Sequence, residues 1–160
     1  MLEAVGIAKM GAYLGAAIAM GFGAVGTGIG EGYISGKANA AVARQPGQLN
    51  FILRVMLLGQ AVAETAGILA LTVALILLFQ QGKDTILQFI AYLSAGITMG
   101  IGSFAPGIAA ALPAGSTCEA VARDPKTFGN VFITMLMGQA ITQAAVIYAF
   151  VIAMLMIFTI

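Results

Sequence analysis

Gly59-Gln60-Ala61-Val62-Ala63-Glu64-Thr65-Ala66-Gly67 sits in the middle of a largely apolar run, residues 51–79. That run is long enough to cross a bilayer, which takes roughly 20 residues. A carboxylate at the middle of a membrane costs at least a few kcal/mol. Glu64 must therefore be neutralised by a bound proton, paired with a cation, or held as an interhelical hydrogen-bonding group. Intramembrane ionisable side chains mark ion pathways more often than glue, so ion carriage is the leading reading.

The rest of the composition agrees with a membrane setting. Of 160 residues, 61% are hydrophobic and only 8% charged, whereas a water-soluble domain carries about a quarter charged residues. There is no basic patch, and neither His nor Trp occurs. A nucleic-acid partner and a His-based metal site are thereby excluded. Cys118 is the sole cysteine and reads as a small packing residue. The N-terminal stretch imitates a signal peptide, with Ala16, Ala17 and Ala19 as a cleavage region. Glu3 offsets Lys9, however, and the apolar character continues past Gly30, so a retained first helix is expected.

Four apolar segments follow one another, near residues 10–43, 50–80, 85–122 and 128–159, each long enough to span. Short polar turns separate them at residues 44–48, 81–84 and 123–126. Strands are not expected, because an open sheet cannot survive in lipid and the alternation of a barrel is missing.

The chain is also an internal duplication. A shift of 79 residues aligns Ala41-Val42-Ala43-Arg44 with Ala120-Val121-Ala122-Arg123, Pro46 with Pro125, and Gly59-Gln60-Ala61 with Gly138-Gln139-Ala140. About a third of residues 20–79 match without gaps. The expected architecture is an all-α membrane protein: four transmembrane helices as two tandem parallel-repeat hairpins, residues 1–80 and 81–160. Lys37, Arg44, Arg54, Arg123 and Lys126 flank the first and third turns, while Lys83 at the second turn is offset by Asp84. The positive-inside rule then places the first and third turns in the cytoplasm.

Segments one and three are crowded with glycine and alanine, including Gly28, Gly32 and Gly36 at four-residue spacing. Such residues let helix backbones approach closely. Segments two and four carry Leu, Ile, Val, Met and Phe and suit a lipid-facing position. The contrast predicts two concentric layers of helices. Gly21-Phe22-Gly23-Ala24-Val25-Gly26 spells a dinucleotide fingerprint, but no strand precedes it, and close packing explains it better. Pro106 and Pro113, inside segment three, should bend it.

Glu31 is a second intramembrane carboxylate. It lies 15 residues before Pro46, and Glu64 lies 18 after, so both stand about 23–27 Å from that turn. The first hairpin thus brings two carboxylates to nearly equal depth. They cannot both ionise cheaply, so one is expected to keep a proton. That depth argues against Glu31 snorkelling to water. Thr65 adds a hydroxyl beside Glu64, either as an oxygen ligand for a hard cation or bonded back to its own helix. In the second hairpin Glu64 becomes Gln143, Glu31 becomes Ala110, Thr65 becomes Ala144 and Leu69 becomes Tyr148. One charged site remains per four helices.

Gly28-Ile29-Gly30-Glu31-Gly32-Tyr33, Ala43-Arg44-Gln45-Pro46 and Gly59-Gln60-Ala61-Val62-Ala63-Glu64-Thr65 resemble the ring-forming proteolipid of rotary ATP synthases, the c-type proteolipid. The likeness covers nearly the whole chain as two fused c-type hairpins. The local wording is similar to the F-type proteolipid. The fused form with one lost carboxylate is similar to the V-type proteolipid, also called K or the 16 kDa proteolipid. The resemblance implies a two-layer ring of identical copies in a bacterial or archaeal plasma membrane. The ring turns against a stator subunit bearing an arginine, and its cytoplasmic turns meet the central stalk. It implies Na⁺ or H⁺ carried on Glu64, with Glu31 in place of the family's inner-helix glutamine. The family's neighbouring hairpin supplies a carbonyl, a hydroxyl and a tyrosine. For the Glu31/Glu64 site these positions fall at Ile141, Ala144 and Tyr148. Ala144 lacks the hydroxyl, and Thr142 is the substitute at hand. Val62 and Thr65 fit the same pattern but face the Gln143 junction, where Gln143 is a hydrogen-bonding relic or a ligand. The subunit itself carries no catalytic residues and no cofactor is implied. The alternative reading is a small four-helix secondary transporter or channel, which would need a polar stripe along several helices. A purely structural membrane oligomer is the third.

Overall fold

The computed structural model describes residues 6–81 and 85–159. Glu3 and the turn residues Gly82, Lys83 and Asp84 lie outside the described residues. Apolar sequence in lipid must satisfy its backbone internally, and here it does so with long helices: α1 (Ile7–Arg44), α2 (Leu49–Phe79), α3 (Ile86–Ala109), α4 (Ala111–Arg123) and α5 (Phe128–Phe158). With α3 and α4 taken together, four rods are long and apolar enough to cross a membrane. No strand occurs among the described residues.

The two tight turns are built alike. Gln45 ends α1, and Pro46–Gln48 forms a short 3₁₀ turn into α2. Asp124 ends α4, and Pro125–Thr127 does the same into α5. Asp124 holds its turn by accepting from the Lys126 backbone N–H at 3.0 Å. Arg44 and Arg123 occupy the last turns of their helices, where a cation favours the negative end of the helix dipole. Of the two prolines expected to bend segment three, Pro106 lies inside α3 without interrupting it. Pro113 has no N–H for the Ala109 carbonyl and crowds it, and the helix breaks at Ala110, between α3 and α4.

The largest helix contact is α1 against α3. Gly11, Gly15, Gly26 and Gly30 of α1 lie against Phe89, Tyr92, Phe104 and Gly107 of α3. A Cβ built at Gly26 would stand 2.5 Å from the Phe104 carbonyl oxygen, and one at Gly30 would overlap the Gly107 carbonyl. Only hydrogen fits there. α2 lies in the groove between these two inner helices: Gly67 meets Thr27 of α1, and Gly59 meets Ala114 of α4. α5 packs outside α3 and touches α2 along one edge. Small residues inside and bulky ones outside thus become two layers.

The buried apolar side chains form two clusters. One joins Ala12, Ala16, Ala70, Leu77, Tyr92 and Met99. The other joins Ile34, Ala38, Ile52, Val55, Cys118 and Val121. Cys118 is therefore a packing residue, as its isolation in the sequence suggests. Between the clusters runs a level that includes the buried polar residues Thr27, Ser103 and Gln139. Both glutamates lie at that level.

Candidate functional site

Glu31 on α1 and Glu64 on α2 line one groove on the outer edge of the first hairpin. Met20, Ala24, Thr27, Gly28, Gly67, Ile68 and Leu71 complete it. The equal depth read from the turn spacing thus places both side chains on one groove. Glu31 is half-buried and Glu64 exposed in the single chain. Beneath them Gln60 Nε2 donates to Ser35 Oγ at 2.9 Å and to the Glu31 carbonyl at 3.4 Å. Ser35 Oγ donates in turn to that carbonyl at 2.9 Å. The backbone carrying Glu31 is therefore fixed from two sides.

The repeat relation shows what this groove lacks. Its counterparts on the second hairpin include Met99, Ser103, Pro106, Gly107, Ala110 and Val146, and all six are buried. The first hairpin covers most of that face. On the first hairpin the same face has no cover. Gly21, Gly28 and Gly32 have open space where a Cβ would go, while their counterparts Gly100 and Gly107 press on α1 and Ala111 is fully buried.

The covered junction holds the uncharged counterparts of both glutamates. Gln143 Nε2 donates to the Val62 carbonyl at 3.1 Å. Ala110 stands where the first hairpin has Glu31. Thr65, one residue beyond Glu64, donates its hydroxyl back to the Val62 carbonyl at 2.7 Å. Val62 and Gln143 thus meet at the internal junction, on the opposite side from the glutamate groove. Gln143 Oε1 is buried there without a hydrogen-bond partner. A neutral amide stands where the first hairpin has the Glu64 carboxylate.

The remaining expected ligands are not brought to the glutamates within one chain. Ile141 is 76% exposed and Tyr148 69% exposed, and neither lines the groove. They lie on the exposed face of α5. Ala144 is half-buried beside Gln143 in sequence. Thr142 donates back to the Gln139 carbonyl at 2.8 Å, so its hydroxyl proton is engaged within its own helix. Among the described residues no group of three or more Cys, Asp or Glu could hold a metal ion. A cation in this groove must draw on carbonyl or hydroxyl oxygens in addition to the two carboxylates.

Two groups carry structural roles that their local sequence does not announce. Gln139 is fully buried, and its Nε2 donates to the Gly59 carbonyl at 3.1 Å and the Ala110 carbonyl at 2.9 Å. It ties α5 to α2 and to the break in segment three. Its recurrence as Gln60, an amide kept in both apolar repeats, is the signal that could have found it. The other is Glu119, which accepts from Lys37 Nζ at 2.9 Å across α1 and α4. It has no charged counterpart in the first repeat, so the duplication does not reveal it.

A family model for the C subunit of ATP synthase matches this sequence twice, over residues 14–77 and 93–156. The ATP synthase c subunit of Thermotoga petrophila is 52% identical over 73 residues, covering 46% of this chain and 86% of that protein. The ATP synthase c subunit of Mesomycoplasma hyopneumoniae strain 7448 is 51% identical over 71 residues, 44% of this chain and 69% of that one. That of Alkaliphilus oremlandii is 59% identical over 66 residues, 41% of this chain and 74% of that one. Each alignment is about one hairpin long.

Proposed function

The chain belongs to the ATP synthase C-subunit family, and from that premise we propose that Glu64 carries Na⁺ or H⁺ across the membrane with Glu31 as its second oxygen donor. Its role is that of an ion-translocating rotor-ring subunit, a multi-pass membrane protein within an ATP synthase-type complex. One observation carries the assignment to Glu64. Two carboxylates share one groove on the open edge of the first hairpin, and the equivalent face of the second hairpin is covered and uncharged.

The ring follows from repeating an interface the molecule already contains. α3 lays Gly96, Gly100 and Gly107 on α1. Their counterparts Ala17, Gly21 and Gly28 on α1 are exposed. The face of α1 that receives α3 has its own counterpart on α3, at Ser94, Ile97 and Ala105, also open wholly or in part. A head-to-tail contact of this kind closes into a ring when its rotation permits. In such a ring a neighbour's α5 brings Ile141 and Tyr148 to the Glu31/Glu64 groove, as Gln143 already meets Val62 inside the chain.

The chemistry then needs few parts. With its ion or proton bound, the site is close to neutral and can face lipid. Emptied, Glu64 is charged and must meet a cation, which in this reading is an arginine on a stator subunit beside an aqueous path. An elementary charge crossing the field gains about 2.3 kcal/mol per 100 mV, which biases rotation. The cytoplasmic turns pass the torque to a central stalk. One site per four helices lowers the ions moved per turn and suits ATP-driven pumping against a steep gradient. Two carboxylates and a neighbour's carbonyl suit Na⁺, although the alanine at 144 removes one hydroxyl from the set.

Dicyclohexylcarbodiimide labelling of the purified ring tests the assignment. Glu64 should be modified, and Na⁺ but not K⁺ should protect it. Protection by raised pH alone would make the cargo H⁺. Labelling at other positions with Glu64 untouched would remove Glu64 from the mechanism.

A further inference from the structure

We infer that a ring of this chain alternates two kinds of helix junction, close inside each copy and wider between copies, with the ion site at the wider one. The inference rests on the ring reading above and adds to it that the junctions cannot be equivalent.

Steric clearance gives the reason. Inside the chain, α1 presents Gly15, Gly26 and Gly30 to the backbone of α3 at Tyr92, Phe104 and Gly107, too close for any Cβ. Between copies the same positions are taken by Ser94, Ala105 and Ala109, each of which carries that Cβ. They meet a neighbour's Tyr13, Val25 and Gly28. The facing side has also gained bulk. Gly96, whose Cβ would overlap the backbone of Gly15, is replaced between copies by Ala17. Where two glycines touch inside the chain, an alanine and a serine face each other between chains. Non-bonded contacts to carbon settle at about 3.5–4.0 Å, so the between-copy helices must stand on the order of 1 Å farther apart.

The polar ties differ between the two junctions in the same direction. Lys37 on α1 and Glu119 on α4 bridge the internal junction at 2.9 Å. Their counterparts are Ser116 and Ala40, which cannot form an ion pair. Gln139 reaches across the internal junction to the Gly59 carbonyl. Gln139 also donates to the Ala110 carbonyl of its own hairpin, as its counterpart Gln60 does to the Glu31 carbonyl, but Gln60 is in addition held on Ser35 Oγ within its own hairpin. The hydroxyl that holds it there is absent from the second repeat, where position 114 is alanine. The glycine contacts that close the internal junction, and the ion pair that accompanies them, thus have no counterpart in the residues of the other.

The consequence is functional. The junction that carries Glu31 and Glu64 is the one with slack, and the junction sealed by Gln143 is the one without. Loading and unloading an ion needs side-chain movement, and the room for it lies where the carboxylates are.

The wild-type ring, extracted in detergent and resolved by electron cryo-microscopy, tests this directly. The separation of α3 from the neighbour's α1 should exceed that of α1 from α3 by about 1 Å. A ring with uniform spacing overturns the inference and leaves the rotor reading intact, whereas finding only single chains overturns the rotor reading itself. The double variant Ala105→Gly/Ala109→Gly should draw the wider junction in toward the closer one. Unchanged spacing in a variant ring that still assembles would count against the steric cause.

Discussion

The two hairpins of this molecule present the same face to opposite fates. On the second hairpin that face is largely covered and carries Ala110 and Gln143. On the first it is open and carries Glu31 and Glu64. Both hairpins turn on the same Arg-x-Pro corner and keep the same buried-side amide, Gln60 or Gln139. What separates them is covalent order. Only one hairpin can cover the other within a chain, so only one of the two equivalent grooves is left for an outside partner. The carboxylates sit on the groove left free. At the covered groove, Gln143 donates to the Val62 carbonyl and makes a permanent neutral contact. A charge enclosed there would be costly without a partner.

Making the two halves more alike gives the largest effect. Glu64→Gln gives the open groove the amide of the internal junction, with Glu31 still in place. We expect coupled ion transport by reconstituted complexes to fall to background while the ring still assembles. Residual transport at more than about a twentieth of wild type would mean the ion travels elsewhere, since an uncharged amide cannot hold and release a cation in lipid. The converse change, Gln143→Glu, should convert the sealed junction into a second site built on the Val62 carbonyl and the Thr65 hydroxyl. Mass spectrometry after carbodiimide treatment should then show the adducts per chain doubled relative to wild type. Exclusive labelling of Glu64 in that variant would show that the internal junction cannot admit an ion.

How much of this contrast the sequence carries depends on the kind of interaction. The four spans, the duplication and the depth match of Glu31 with Glu64 follow from run lengths and counting, because helix rise is fixed. The division into inner and outer helices follows from glycine content, because close approach requires small residues. The break at Ala110 follows from Pro113. Which hairpin covers which face does not follow, since Gly28 and Gly107 read identically in sequence and only coordinates show one open and the other pressed on Gly26. The bonding of Gln139 is equally hidden. Its acceptors, Gly59 and Ala110, lie on two other segments, and no local pattern marks a carbonyl as a second acceptor.

An intermediate effect distinguishes the paired amides. Gln139→Leu removes one hydrogen bond that joins the two hairpins and one within the second, while Gln60→Leu removes bonds confined to its own hairpin. A net hydrogen bond is worth about 1 kcal/mol, and interhelical bonds in membranes average about 0.6 kcal/mol. Gln139→Leu should therefore cost about 1 kcal/mol, reduced in part because its buried, unpartnered Oε1 is removed as well. Unfolding in mixed micelles with rising SDS should show a lower midpoint for Gln139→Leu than for Gln60→Leu. Equal midpoints would mean that the internal junction owes nothing to its bridging amide.

The smallest effect concerns the ion pair that only the internal junction has. Lys37 reaches Glu119 at 2.9 Å and also lies 5.6 Å from the Tyr33 ring centre. Both partners of the ion pair remain partly exposed at the end of the helices, where water and salt screen such pairs and their contribution is slight. The glycine contacts at Gly26 and Gly30, by contrast, are set by backbone atoms that cannot move aside. Lys37→Gln should consequently leave the SDS midpoint within experimental scatter of the wild type, and any residual difference should vanish in high salt. A fall as large as that of Gln139→Leu, persisting in salt, would shift the origin of the close junction from backbone packing to charge.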